Sequence, residues 1–283
     1  MAAKALGRHA GDVERQFIYS RFLARVFTDD TWVLKGGVAI LARVVDARHS
    51  KDVDLLATLN DIGDAVDSLR QACQRDAGDP YTFQVVREAP HPANAGQPGV
   101  TGARVDVEAW IGPARRGRFP VDVVLGSVMT APPDLVTART PFELDGVQSP
   151  TYRVYPVVDH IADKVCATET RYGPDGNTPS SRSRDLIDLV VFARTHDIDA
   201  RALRVAIESE RTLRGLPQGN QFHVPPEWAR PYAKEAPTVA VCNGSDFAAA
   251  VALVGTLLDP VMNDTMTAGV WQAASSVWVP AVA

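Results

Sequence analysis

The chain has 283 residues, 46% of them apolar, and a formal net charge of −5. That length holds one large domain or two modest ones, and the acidic balance excludes a global basic footprint for nucleic acid while leaving room for a local basic patch. Cys73, Cys166 and Cys242 are odd in number and widely spaced, so they read as buried free thiols of a reducing compartment. Residues 1–16 lack the apolar stretch of a secretory leader, and no run approaches bilayer-spanning length. A cytoplasmic protein without a membrane partner is therefore expected.

The first predicted helix, residues 13–27, puts Phe17, Ile18, Phe22, Leu23 and Val26 on one stripe. Arg15, Arg21 and Arg25 fall on or near the other side, either as a solvated face or as contacts for RNA. A short apolar strand follows, Trp32 to Leu34, then the glycine pair Gly36 and Gly37, then a small apolar helix from Val38 to Val45. A basic loop, Arg48 to Lys51, leads into a second strand carrying Asp52 and Asp54. Strand side chains alternate faces, so these two carboxylates project together and repel unless a cation lies between them. A divalent ion with oxygen ligands, magnesium above all, suits that place. The glycines allow backbone amides to approach an anion such as a phosphate. Taken singly, the Asp pair could be a solvated strand face and the glycines a turn. Together and in this order they are the equipment of nucleotidyl or phosphoryl transfer.

Asn60 or Asp61 caps a helix running to about Arg75, with Ile62, Val66, Leu69 and Ala72 inward. The stretch 82–88 alternates as a strand. Residues 89–102 form a Pro/Gly-rich loop containing His91, an isolated histidine that reads as exposed. A strand over 103–111 places Arg104, Asp106 and Glu108 on one face. After a turn from Gly112 to Gly117, a strand over 118–125 carries Asp122 between valines. An acid in that setting is costly to bury without a partner, which could be a shared metal or an arginine such as Arg104 or Arg118. Residues 126–150 are turn-rich, with Pro132 and Pro133 ending the sheet and Ser149-Pro150 suited to an interdomain joint.

The second half reads helical. Pro156 opens a helix in which Lys164 and Ala167, three apart, are surface neighbours. A polar loop spans 171–184. The next helix puts Asp185 and Asp188 on one face, beside Arg182 and Arg184, a charge cluster that a helix start also favours. A helix closed by Gly215 follows, then an irregular stretch where Trp228 and Tyr232 pack. A helix capped by Ser245 and stopped by Pro260 comes next. The tail from Asn263 shows no clear element, though Trp271 and Trp278 suggest that it docks.

The run Lys35-Gly36-Gly37 followed by Arg48-His49-Ser50-Lys51-Asp52-Val53-Asp54-Leu55 resembles the first motif of polymerase-beta-like nucleotidyltransferases. In detail it is similar to the AbiEii branch, which includes the MenT toxins of mycobacteria. Lys164-x-x-Ala167 and Asp185-x-x-Asp188 resemble two further motifs of that family. The resemblance implies an α+β fold: a polymerase-beta-like α/β lobe with a mixed sheet over 1–150, and a mostly helical lobe over 151–283 that contributes Lys164 and Asp185 to the cleft. It implies a third metal-binding acid on a neighbouring strand, Asp122 with Asp106 as the alternative, so that Asp52, Asp54 and Asp122 hold Mg2+ or Mn2+. Lys35, Gly36, Gly37, Ser50, Lys51 and Asp188 are the implied nucleotide contacts, with NTP as substrate. Asp52, Asp54, Lys164 and Asp185 are the implied catalytic set. Ser50 is also a possible regulatory position, because a phosphate there would set about two negative charges against Asp52. The family acts as toxins beside a cognate antitoxin, and its MenT members modify the acceptor end of tRNA and block translation. Two other readings stay open: the same chemistry on a protein or an antibiotic, and a non-catalytic nucleotide or RNA binder. Two departures matter. Many relatives have Gly-Ser where this chain has Gly36-Gly37, and the gap from Lys164 to Asp185 is wide.

Overall fold

The computed structural model describes residues 9–90, 100–138, 147–173 and 175–281. His91 lies outside them. The first half of the chain builds one mixed sheet from β1 (Trp32–Lys35), β2 (Val53–Ala57), β3 (Tyr81–Pro90), β4 (Thr101–Ile111), β5 (Ala114–Leu125), β6 (Asp134–Thr137) and β7 (Thr151–Val154), in the order β3-β4-β5-β2-β1-β7-β6. The β2–β5 and β1–β7 pairs are parallel and the others antiparallel. Period-two alternation decides what each face becomes. Trp32, Leu34, Leu55, Val105, Val121 and Val123 point to one side. There they meet Phe22 and Leu23 of α1 (Ala10–Val26) and Val66 and Leu69 of α3 (Ile62–Cys73) in a single core. The other side carries Lys35, Asp54 and Asp122, which line a cleft. A helical layer covers that second side.

That layer comprises α4 (Val157–Glu169), α5 (Ser183–Thr195), α6 (Ala200–Arg214), α7 (Ala229–Glu235) and α8 (Phe247–Met262) around a second core. The short helix α2 (Gly36–Arg43) joins the halves: Val38 and Ala39 belong to the first core, Ile40 and Leu41 to the second. The fold is α+β, with the large sheet built from the first half of the chain and the helical layer from the second. β7 lies beyond the joint expected at residue 150 yet pairs with β1. Among the described residues, no helix is long and apolar enough to cross a membrane.

Several elements differ from expectation. Arg21 and Arg25 are no solvated or RNA-facing stripe; both are buried and bound to Asp79 at 2.8 and 2.9 Å. The turn expected over 112–117 shrinks to Gly112 and Pro113, because the hairpin strands pair as far as Ile111 and Ala114. The turn-rich stretch after Pro133 yields β6 on the sheet edge. The last long helix takes Asp246, not Ser245, as its cap and runs through Pro260 to Met262. Pro260 lies in the last turn, so the hydrogen bond it removes and the bend its ring imposes disturb only the helix end. The tail forms β9 (Gly269–Gln272) and β10 (Val277–Pro280), which with β8 (Ile198–Asp199) make a small sheet. Trp271 is fully buried and donates to the Ala193 carbonyl at 2.7 Å, while Trp278 donates to the Leu257 carbonyl at 3.1 Å. The tail therefore docks.

Candidate active site

At the end of β1 the chain turns sharply at Gly36, whose φ is +64°, a conformation strained for other residues. A Cβ there would stand 1.8 Å from Asp54 Oδ2, so the absence of a side chain lets the carboxylate press against the backbone. Gly37 plays the same part for Ser50, whose Oγ would be 2.9 Å from an added Cβ. Ser50 in turn donates to Asp52 Oδ1 at 2.6 Å. The glycine pair is thus a cradle wrapped around the acids.

The sheet register then sets four charges in a row. Lys35 on β1 pairs with Asp54 on β2, Asp54 pairs with Asp122 on β5, and Asp122 pairs with Arg104 on β4. Register partners put their side chains on the same face, close enough to interact. Arg104 Nε is 3.6 Å from Asp122 Oδ1, too far for a hydrogen bond. Asp106 faces Pro120 and binds Arg118 at 2.8 Å, so Asp122 is the acid beside Asp54. Burial first, and then the charges of Asp52 and Asp122, push the Asp54 carboxyl up to about 7. Two adjacent carboxylates with a third close by, all hard oxygen donors, suit a divalent cation of the magnesium type. They are not closed into a ready tripod: among the described residues no three His, Cys, Asp or Glu groups are gathered at ligand spacing. Asp52 is turned to Ser50, and Asp122 leans toward Arg104.

The opposite wall comes from α4 and α5. Lys164 is no surface lysine. It is 3% exposed and donates to Asp185 at 3.0 Å and Asp188 at 2.6 Å, bridging the wide sequence gap. Burial works against its charge, yet the two aspartates hold the ammonium above its ordinary pKa. Asp185 also accepts from Arg182 at 2.7 Å. Asp188, expected among the nucleotide contacts, has no exposed surface and does not line the cleft. Its two oxygens are taken by Arg48, at 2.8 and 2.7 Å, and by Lys164. Its place is behind the wall, locking the loop before β2 to the lysine helix. Burial alone would raise its pKa, but Lys164 and Arg48 lower it to about 2. The neighbouring acids Asp163 and Glu169 bind Arg214 and Arg211.

The two walls enclose a cleft of about 880 Å³. Lys35, Gly36, Gly37, Ser50 and Lys51 line it with Asp52, Asp54, Asp122, Lys164 and Asp185, so all the sequence-predicted site residues except Asp188 meet there. Arg48, Arg104, His160, Asp163 and Arg214 also contribute. Arg104 is legible only as a charge partner for Asp122, and His160 and Arg214 give no local signal.

A family described as nucleotidyl transferase AbiEii toxin, type IV TA system, matches residues 18–252. No curated protein matches. Among solved structures, the chain is similar to MenT4, a nucleotidyltransferase toxin from Mycobacterium tuberculosis, at 17% identity and a TM-score of 0.51, covering 88% of this chain and 92% of that one. JHP933 from Helicobacter pylori is also similar, at 14% identity, a TM-score of 0.47, and coverage of 91% and 94%. At its identity MenT4 speaks for the fold alone, while the family match spans most of the sequence, and the chain belongs to the AbiEii nucleotidyltransferase toxin family of type IV toxin–antitoxin systems.

Proposed function

We propose that this toxin transfers a nucleoside monophosphate from an NTP to the 3′ end of tRNA, with a divalent metal, and so blocks translation. The observation that carries the proposal is the row Lys35, Asp54, Asp122 and Arg104 across four strands, closed at one side by Gly36. Asp52, Asp54 and Asp122 would hold Mg2+ or Mn2+, which when bound screens the triphosphate and lowers the pKa of the acceptor hydroxyl. Gly36, Gly37 and Ser50 cradle the phosphates, with Lys35 and Lys51 at their side. Lys164, fixed by Asp185 and Asp188, supplies positive charge where pyrophosphate departs. The hydroxyl oxygen forms the new bond to the α-phosphorus as the bond to pyrophosphate breaks.

For the acceptor, local charge is the support. The chain is acidic overall, but eight Lys and Arg residues against six Asp and Glu residues line the cleft. Arg104, Arg182 and Arg184 are each about half exposed at its mouth, where a polyphosphate chain can reach them. Membership of a toxin family also implies a cognate antitoxin as partner.

The test is incubation with total tRNA, magnesium and each α-labelled NTP in turn. Label on the RNA 3′ end, from one nucleotide above the others and absent with Asp52→Ala, is the expected result. Label on no RNA with any NTP overturns the tRNA assignment, and label on a co-incubated protein or aminoglycoside would replace it.

A further inference from the structure

On the cleft face of the sheet, the outer strands β3, β4 and β5 are open to solvent, with Gln84, Arg87, Arg104 and Arg118 exposed. Alternation along β4 puts Arg104, Asp106, Glu108 and Trp110 on that face, because Val105, Val107 and Ala109 between them lie in the core. The face begins inside the cleft, which Arg104 and Asp122 line. From Arg104 to Trp110 it runs away from the cleft for about 20 Å.

The charges of this wing are layered. Arg104, Arg115 and Arg118 are 43%, 56% and 46% exposed, whereas the carboxylates beside them, Asp122, Glu108 and Asp106, are 13%, 12% and 21% exposed. The acids lie beneath and the guanidinium groups above, so a ligand arriving from solvent meets the arginines first. Arg87, exposed on β3 and facing Asp106, adds to that upper layer. At the far end Trp110 faces Arg115 across β4 and β5. Trp110 is partly exposed while its Nε1 is buried, so what it shows to solvent is not its N–H. One exposed ion pair is worth little. Three in succession, each with the arginine outward, beside an indole and leading into the cleft, fit a polyanion that carries flat rings.

We propose that the open wing of β3, β4 and β5 is a landing surface for single-stranded RNA, which it guides 3′ end first into the cleft. This rests on the RNA-transfer reading above. The arginine layer takes backbone phosphates, and Trp110 takes the face of an unpaired base. A duplex hides its base faces and offers the indole nothing to stack on. An acidic protein would suit the arginines too, but it gains nothing from a surface that runs on into the reaction centre.

The experiment is fluorescence anisotropy of the full chain, without NTP or metal, with a short labelled single-stranded RNA and with a blunt RNA hairpin. The variants are Arg115→Gln, Arg118→Gln, Arg118→Lys and Trp110→Leu. Arg116→Gln is the control, because Arg116 is as exposed on the same strand but reaches Glu14 of α1 on the other face. The Kd for the single strand should rise about 3- to 10-fold in each Gln variant of the wing and about 5-fold or more in Trp110→Leu. Arg118→Lys should recover most of the loss, and Arg116→Gln should stay within about 2-fold of wild type. The slope of log Kd against log salt should flatten by about one for each wing arginine removed. In the transfer assay KM for RNA should rise in these variants while KM for NTP holds within about 2-fold. Thermal melts verify folding. Wild-type protein that binds no single strand at low salt, wing variants that bind it as wild type does, or equal weakening by Arg116→Gln would each overturn the proposal. So would a hairpin bound as tightly as the single strand with Trp110→Leu silent on both. Variants that keep RNA affinity but lose co-elution with the cognate antitoxin would give the face to a protein and likewise overturn it. RNA bound through Arg115 and Arg118 yet labelled with no NTP would refute the transfer reading and leave the surface intact.

Discussion

Single residues carry the tightest constraints at Gly36. Its backbone is left-handed and its missing Cβ is space that Asp54 occupies. Gly36→Ala should cost roughly 1–2 kcal/mol of stability, read by urea unfolding, from the backbone strain. Because the Asp54 carboxylate would have to swing away, transfer activity should fall by a larger factor, about 100-fold or more. Equal losses in stability and activity would show that Asp54 is not held by this contact. The importance of this residue was visible in the chain as a glycine pair between a strand and a helix. What the pair accommodates was not, since the carboxylate arrives from a different strand. Asp54 was legible from its strand, and Asp52, expected in that strand but placed one residue before it, from its spacing of two from Asp54. Asp122 was legible because a lone acid among valines is chemically out of place. His160 and Arg48 were not, because a role shared between distant elements has no period.

At the scale of elements, Asp188 ties the loop before β2 to α4 and α5 through Arg48 and Lys164. Asp188→Asn leaves a buried lysine and a partly buried arginine with a weaker acceptor and should destabilise by about 3–5 kcal/mol, measured by chemical unfolding at pH 7. Its pKa, lowered to about 2, lies below that of an unfolded aspartate, so the stabilisation is full above about pH 4 and is lost as pH falls toward 2. The wild type should lose roughly 2 kcal/mol across that window from this group, and Asp188→Asn should show a flatter profile there. A variant as acid-sensitive as the wild type would place the sensitive carboxylate elsewhere. The pairing of strands was harder to foresee than their existence. β3 and β4 were plain from alternation and β5 from its apolar run, but β6 is four residues long and follows two prolines, and β9 and β10 are as short. Short strands are fixed by their neighbours more than by their own composition.

For the molecule as a whole, the helical layer is both wall and lid to the sheet's charged face, and the terminal hairpin braces that layer. Trp271→Ala should cost about 3–5 kcal/mol, because a fully buried indole and its hydrogen bond to Ala193 on α5 are both lost. Hydrogen exchange should quicken in α5 before it does in the sheet, and uniform exchange would mean that the hairpin braces nothing in particular. The two-layer plan was readable from strands giving way to helices, and the interleaving through α2 and β7 was not. The parallel β2–β5 pair has one more effect, on how the molecule assembles. Its strands lie far apart in sequence, and pairing of that kind is slow. Closing it brings Asp54 against Asp122 while both are charged, so the closing step runs uphill against electrostatic repulsion. With Asp54 raised to about 7, refolding from urea should run faster near pH 6, where a proton relieves that repulsion, than near pH 8. The clustering of charge on one face of the sheet is the brake on the protein's own self-assembly.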